Sequence, residues 1–504
     1  MRILLVTGQL AKPIVEMYAK RAQDRVSKVE IRVLALPVKV AAMMNSEYLA
    51  RTLPQYREAL RDVDIVIVPG FTEGDLTVLK SLLGIPVVKG TYYAHDIPLL
   101  VELLARGVEL SPVNPADEVL ESVRARVEEE ALNEALFKAS SDFYFKIGGL
   151  PVSRHYPLVL LELYVDKECE LELGEPVKYA DIVLAGFPLE FDKNTALRVL
   201  KSIRDKIDKP VGIDTVDLEL IKEAYEFVDI INGVYCGNIE RVLEMNFLRE
   251  KPLVVICSEG SASERVELLE RTVASLKNKG FEKVIVDPVL NPPLSGLIES
   301  LEAYVMLRKA LPGTPLLMGV GNITELVDVD SVGVNALLAF MGVEIGVELY
   351  LTTEASVKTR GATRELKRAL EMAVIARELG KPPKDMTRNL LVTKSKKKSA
   401  VTLPRAGIVV KATERSPLRL DPKGYFRVSV DHEKGEIVVQ HYLYDHEEPT
   451  IEIRGKDPYV ILGEIEKREL ISLPRHYFYL GSELTKAHIA LKLGKEYEQD
   501  KDLF

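Results

Sequence analysis

The chain has 504 residues, three cysteines, no tryptophan and a formal net charge of −9. At roughly 150 residues per domain this length predicts about three domains. A composition of 47% hydrophobic and 28% charged residues is globular and needs no disulfide framework or structural metal to bury a core. Collagen-like and disordered classes are excluded, and an odd cysteine count argues against a secreted disulfide scaffold. The acidity disfavours a nucleic-acid role, which needs a concentrated basic surface; the only dense basic run, Lys394 to Lys398, reads as linker. The apolar run after Arg2 is too short for a signal-peptide core, and no stretch of about 18 apolar residues follows. A cytoplasmic protein with no membrane partner is expected.

The first segment alternates strand and helix patterns. RILLV (2–6), VEIRVLAL (29–36), DIVIV (64–68) and PVVKG (86–90) are continuous aliphatic runs, as in strands covered on both faces. Helical stretches separate them, one predicted over 53–61, and a long helix follows over 119–138. Residues 1–148 therefore read as an open-sheet α/β domain, ending at the GGLP break. Two strand-end loops stand out in it. VTGQLA (6–11) is a tight turn or an anion site at a helix N-terminus, and GTYYAHD (90–96) is predicted to face the barrel across a domain cleft.

The middle segment, 149–380, is the most regular. Apolar runs begin at Pro157, Asp181, Pro210, Val228, Pro252, Lys283, Pro315 and Val347, most followed by a helical stretch such as 195–207, 218–227, 262–279 or 297–310. Eight such units predict a (β/α)₈ TIM barrel. An open doubly wound sheet is the alternative, though it usually has fewer strands. The first unit is irregular, with little room for a helix between Leu163 and Asp181. After a helix over 364–379, GKPPKD (380–385) and TKSKKKS (393–399) look like linker. Residues 386–504 read as a small α+β domain, with AGIVVKA, YFRVSVD and EIVVQHYLYD as an antiparallel meander and a closing helix over 481–493.

Chemistry in such barrels sits where strands end and loops begin. Strand three ends in Asp214, strand four in Asn232 and strand six in Asp287, and strand seven runs into Asn322. Singly, each could be the N-cap of the next helix; jointly they converge on one barrel mouth. A carboxylate matches the paired N3–H and exocyclic amine of a pterin, and carboxamides can serve the remaining ring nitrogens and the 4-oxo group. Neither GxGxxG nor a P-loop is present. No metal site is expected in the barrel, whose only histidine, His155, precedes strand one.

VGIDT (211–215), DIING (229–233), VIVDP (284–288) and LLMGVGN (316–322) follow one another in barrel spacing. They resemble the pterin-binding barrel family of dihydropteroate synthases and methyltetrahydrofolate methyltransferases, over roughly 154–379. The three-part layout is similar to the archaeal dihydropteroate synthase-related proteins. The resemblance implies that Asp214, Asn232 and Asp287 hold a reduced pterin, of the tetrahydromethanopterin or tetrahydrofolate type. The synthase loops after strands one and two are replaced by YVDKECE and GFPLEF, Asn322 stands where synthases have a lysine, and the barrel-end Arg-x-His becomes a stretch with Lys358 and Arg360 as candidate anion contacts. Asn322 resembles the methyltransferase asparagine near pterin N5, which makes it the candidate catalytic residue. The family implies a homodimer and a transferase acting in methyl transfer or pterin metabolism; the alternative is a non-catalytic pterin carrier or scaffold. A barrel acting on a phosphorylated sugar is a third reading. No base-off cobalamin motif is present, so a corrinoid would arrive on a partner protein.

His432, His441, His446 and His476 lie near acidic residues of the last domain and read as exposed turn residues or a metal site. RHYFYLGSEL (475–484) reads as packing before the closing helix, and Cys236 and Cys257 as small buried residues or reactive thiols near the barrel mouth.

Overall fold

The computed structural model describes residues 1–165, 173–395, 408, 410–412 and 419–504. It has two compact units, Met1–Glu134 with Ile375–Arg388, and Ala135–Val374 with Asn389–Phe504.

In the first unit, strands β1 (Arg2–Gly8), β2 (Glu30–Leu36), β3 (Ile65–Val68) and β4 (Val87–Lys89) form a parallel sheet in the order β2-β1-β3-β4. The strands carry apolar cores on both faces, one around Leu5, Val101 and Leu120, the other around Leu4, Leu49 and Val66. That double burial is why their sequences are continuous aliphatic runs. The helix predicted over 53–61 is instead a short 3₁₀ turn (Leu53–Gln55) and a one-turn helix (Arg57–Leu60), separated at Tyr56, whose φ of −101° and ψ of 48° lie outside the helical region. The long helix runs over Asp117–Ser141.

The second unit opens with a hairpin, β5 (Phe145–Ile147) and β6 (Leu150–Val152). Eight parallel strands follow: β7 (Leu158–Tyr164), β8 (Ile182–Gly186), β9 (Val211–Asp214), β10 (Ile230–Tyr235), β11 (Leu253–Ile256), β12 (Val284–Asp287), β13 (Leu317–Gly319) and β14 (Leu349–Thr353). They pair in order, β14 returns to β7, and a Val286–Leu316 bridge closes the ring between β12 and β13. This is the expected TIM barrel. Leu158, Leu160, Ile182, Leu184, Ile230, Val254, Ile285, Leu317 and Leu349 fill its interior, and Ile147 and Val152 of the hairpin pack into the same cluster. The alternate residues, Val159, Leu161, Val183, Ile231 and Val255, face the helices, as a two-residue strand period requires. The helices at Lys193–Lys206, Ala262–Asn278 and Leu297–Ala310 fall where the apolar pattern predicts.

The remaining domain of this unit is an antiparallel sheet of β15 (Tyr425–Asp431), β16 (Glu436–Tyr442) and β17 (Ile451–Gly455) with two helices. Residues 408 and 410–412 of AGIVVKA form no strand, so the expected meander strand is absent there, and the rest of that stretch lies outside the described residues, as does most of the YVDKECE loop. The closing helix starts at Pro474, earlier than predicted, and takes in the aromatic stretch; the second helix, Pro458–Lys467, is an addition. Among the described residues, no helix is long and apolar enough to cross a membrane.

One buried ion pair holds the end of the barrel opposite the polar strand ends. Glu348, 1% exposed, accepts from Arg308 at 2.6 Å, from the Leu316 amide at 2.8 Å and from the Tyr144 hydroxyl at 2.9 Å. Arg308→Met should leave that carboxylate buried without its cation and cost about 3–5 kcal/mol, read as a lowered urea midpoint with an unchanged slope.

Candidate functional site

Each barrel strand reaches its last inward position at the same edge, and several carry a polar residue there. Asp214 follows the inward Gly212 and Asn232 the inward Ile230, and the two pair in register between β9 and β10. The Asn232 amide donates to Asp214 Oδ2 at 2.6 Å. Asn232 is 3% exposed, and its Oδ1 has no hydrogen-bond partner. An amide oxygen in that state is ready for a ligand donor, since leaving it unsatisfied costs about 1–3 kcal/mol. Gly233 makes this arrangement possible. Its φ is +121°, and a Cβ there would lie 2.0 Å from the Thr215 carbonyl oxygen. The register shift it permits turns β10 between Asn232 and Val234.

Asp287 ends β12 and is buried. Its Oδ1 accepts from the Tyr304 hydroxyl at 2.7 Å and from the Val289 amide at 2.8 Å. Val289 holds a left-handed φ of 63°, rare for a β-branched residue. The buried Arg265 guanidinium donates to the carbonyls of Pro288 and Val289 and fixes the loop in that conformation. Burial pushes the Asp287 carboxyl up to about 6 against the pull of those hydrogen bonds. Burial likewise raises Asp214, opposed by its bond from Asn232.

Sequence reasoning missed a third acid. Glu162 follows Leu158 and Leu160 at the inward parity of β7, and burial, with the charge of Asp214, raises it to about 7. Gly186 on β8 makes room for it, since a Cβ there would overlap the Glu162 carboxylate. The signal was legible: LVLLELY places a charge on an otherwise apolar inward face. Tyr235 was also missed. Its phenol is raised by burial first and then by Asp214, Asp287 and Glu162 together, so it lies within the field of all three carboxylates.

Asn322 stands on the exposed rim, after β13, and its amide donates to the Leu290 carbonyl at 3.3 Å, in the loop that follows Asp287. The structure therefore brings Asp214, Asn232, Asp287 and Asn322 to one mouth. Lys358 and Arg360 are held differently: Lys358 pairs with Asp328 and the Val327 carbonyl, and Arg360 binds the Gly494 carbonyl and Glu496 of the last domain. Cys236 and Cys257, at the ends of β10 and β11, are neither free thiols nor simple core residues but a disulfide with Cα atoms 5.6 Å apart. Among the described residues the C-terminal histidines form no metal-type cluster, although His441 and His476 both pack on Phe426. His432 meets the Lys495 carbonyl, His441 meets Thr450 and the Lys423 carbonyl, and His476 meets Asp421.

A model described as PterinBD-DUF4346 matches residues 420–500, and one described as a family of unknown function (DUF6513) matches residues 1–92. The uncharacterized protein MJ0107 of Methanocaldococcus jannaschii is 33% identical over 532 aligned positions, covering 100% of this chain and 99% of that one. Among solved structures, a dihydropteroate synthase of Coxiella burnetii in complex with pteroic acid is 16% identical, covers 44% of this chain and 93% of its own, and has a TM-score of 0.36. The dihydropteroate synthase of Thermus thermophilus is 23% identical, with 43% and 91% covered and a TM-score of 0.35.

The raised acids set a pH dependence. Unfolded, a glutamate ionises near about 4.3; folded, Glu162 does so near 7. Its contribution to stability is intact below the unfolded value and is lost as pH rises through about 7. Glu162→Gln should therefore gain on the wild type between pH 4 and 8, by up to about 3 kcal/mol. Urea unfolding across that range reads the difference; a flat one would mean that Glu162 is not buried as described.

Proposed function

The chain belongs to one family with the uncharacterized protein MJ0107 of Methanocaldococcus jannaschii, and we propose that it is dihydropteroate synthase-related, binds a reduced pterin at the barrel mouth and acts in transfer of the pterin's one-carbon group. The observation that carries this reading is the unsatisfied Asn232 Oδ1 beside the half-buried Asp214 and the buried Asp287. Burial outweighs the Asn232 hydrogen bond at Asp214, and the hydrogen bonds and the Arg265 charge at Asp287, so both carboxylates suit a donor-rich ligand. A pterin's 2-amino-4-oxo edge offers parallel N–H donors to a carboxylate, and the carboxamide accepts from what remains. Asp287 and Asn232 are assigned to that edge, with Asp214 orienting Asn232.

When bound, a methyl-tetrahydropterin supplies a methyl group on a ring nitrogen. Release of that nitrogen needs a proton or hydrogen bond as its bond to carbon breaks. Asn322 on the rim is assigned the hydrogen bond. Glu162, held near neutrality, is protonated often enough at pH 7 to supply the proton. The carrier is of the tetrahydromethanopterin or tetrahydrofolate type, and a corrinoid on a partner protein is the acceptor this chemistry suits. Authentic dihydropteroate synthesis fits less well. Departure of diphosphate calls for cations near the leaving group, whereas Lys358 and Arg360 are engaged by Asp328 and Glu496.

Titration of the full chain with tetrahydromethanopterin and tetrahydrofolate tests the binding, followed by calorimetry. Asp214→Ala with Asp287→Ala should weaken it about 100-fold or more, as expected when charged hydrogen bonds are removed; unchanged affinity overturns the reading. Methyl transfer to free cob(I)alamin, followed by absorbance, separates an enzyme from a carrier, and Asn322→Ala should slow it while leaving affinity within a few-fold.

A further inference from the structure

Two segments that the barrel chemistry leaves unused meet in the first unit. His95 and Asp96 lie in the GTYYAHD loop after β4, at the carboxyl edge of the parallel sheet, where open α/β sheets bind ligands. Asp385 ends GKPPKD, in the segment Ile375–Arg388 that returns to this unit. Although far apart in sequence, the three residues each place one ligand atom within 4.8 Å of the others.

The spacing is informative. His95 Nε2 lies 3.5 Å from Asp96 Oδ2 and 3.8 Å from Asp385 Oδ2. Both separations are too long for hydrogen bonds. Two ligand atoms about 2.1 Å from a shared ion, at a tetrahedral angle, lie roughly 3.4 Å apart. His95 Nε2 is buried and has no hydrogen-bond partner, and Asp96 beside it is 3% exposed. The Tyr93 ring stacks on the imidazole at 5.8 Å, and the Lys384 ammonium lies over the Tyr93 ring.

We propose that His95, Asp96 and Asp385 form a divalent transition-metal site that ties the returning segment to the edge of the four-stranded sheet. One imidazole and two carboxylates suit zinc, cobalt or manganese more than magnesium, which prefers oxygen alone. Three protein ligands leave at least one position for water or an anionic ligand. The surroundings carry Arg124, which binds Asp96 at 2.7 Å and Asp117 at 3.1 Å, together with Lys381, Lys384 and Glu128. Four carboxylates therefore face three cations, and an added ion reverses a negative excess.

The test uses the full chain, stripped with EDTA and titrated with Co²⁺, whose visible absorption reports the ligand set. One equivalent bound, with a d–d band, is expected, and the ion should raise the melting temperature. His95→Ala and Asp385→Asn should each weaken binding at least tenfold, whereas Asp287→Asn at the barrel mouth should leave it unchanged. Asp385 has a left-handed φ of 55°, which asparagine tolerates equally, so that variant carries the test even where His95→Ala does not fold. No bound Co²⁺, undiminished affinity in both ligand variants, or loss in Asp287→Asn instead would overturn the site. None of these outcomes depends on pterin binding.

Discussion

The alternation of side chains along eight parallel strands governs everything at the barrel mouth. Leu160, Leu184, Ile230, Ile285 and Leu317 point inward and fill the barrel, so the next inward position on several of those strands is the last before the loops. Glu162, Asn232 and Asp287 fall at such positions; Asp214 does so on β9. A one-residue slip in any strand would send its polar group among the helices, where Val159, Ile231 and Val286 now pack. The apolar layers thus serve as the floor of the site and as the device that fixes its register.

The mouth is built against stability. Three acids share a region where burial raises all three, and Asn232 keeps an unsatisfied oxygen. Val289 adds a backbone conformation that costs on the order of 1–3 kcal/mol. Such features persist because the surrounding packing over-determines them: Arg265 pins the Val289 loop, Tyr304 pins Asp287, and Gly233 admits the turn at Asn232. The opposite end of the barrel shows the contrast. There Glu348 is satisfied three times over by Arg308, Leu316 and Tyr144. One end consumes its polar groups in structure, and the other leaves them open.

The disulfide between Cys236 and Cys257 lies beside this site, linking the ends of β10 and β11 just past Asn232 and Ile256. It was not legible from cysteine counting, because pairing depends on two strand ends being neighbours in the barrel. Glu162 was legible in principle, as a charge on the inward parity of an apolar strand. It went unread because its position is judged only against a register that neighbouring strands set. Tyr235 left no signal: a tyrosine at a strand end is ordinary until the closed barrel sets it in the field of three carboxylates. Lys358 and Arg360 show the converse, since a cation near a barrel end looks available until its partners, Asp328 and Glu496, are placed beside it.

Local chemistry was enough for the barrel strands, most of their helices and the ordered polar strand ends, because periodicity and strand-end position are properties of short segments. The first helix of the C-terminal domain and the early start of the last one escaped, since their aromatic and mixed sequences favour no single state until packed against the sheet around Ile461 and Leu484. Tertiary structure alone decided which polar groups stay open and which are spent. Whether Asn232 Oδ1, Arg360 or His95 Nε2 finds a partner depends on residues far away in the sequence, and burial, which sets the cost of leaving such a group unpaired, is a property of the folded whole.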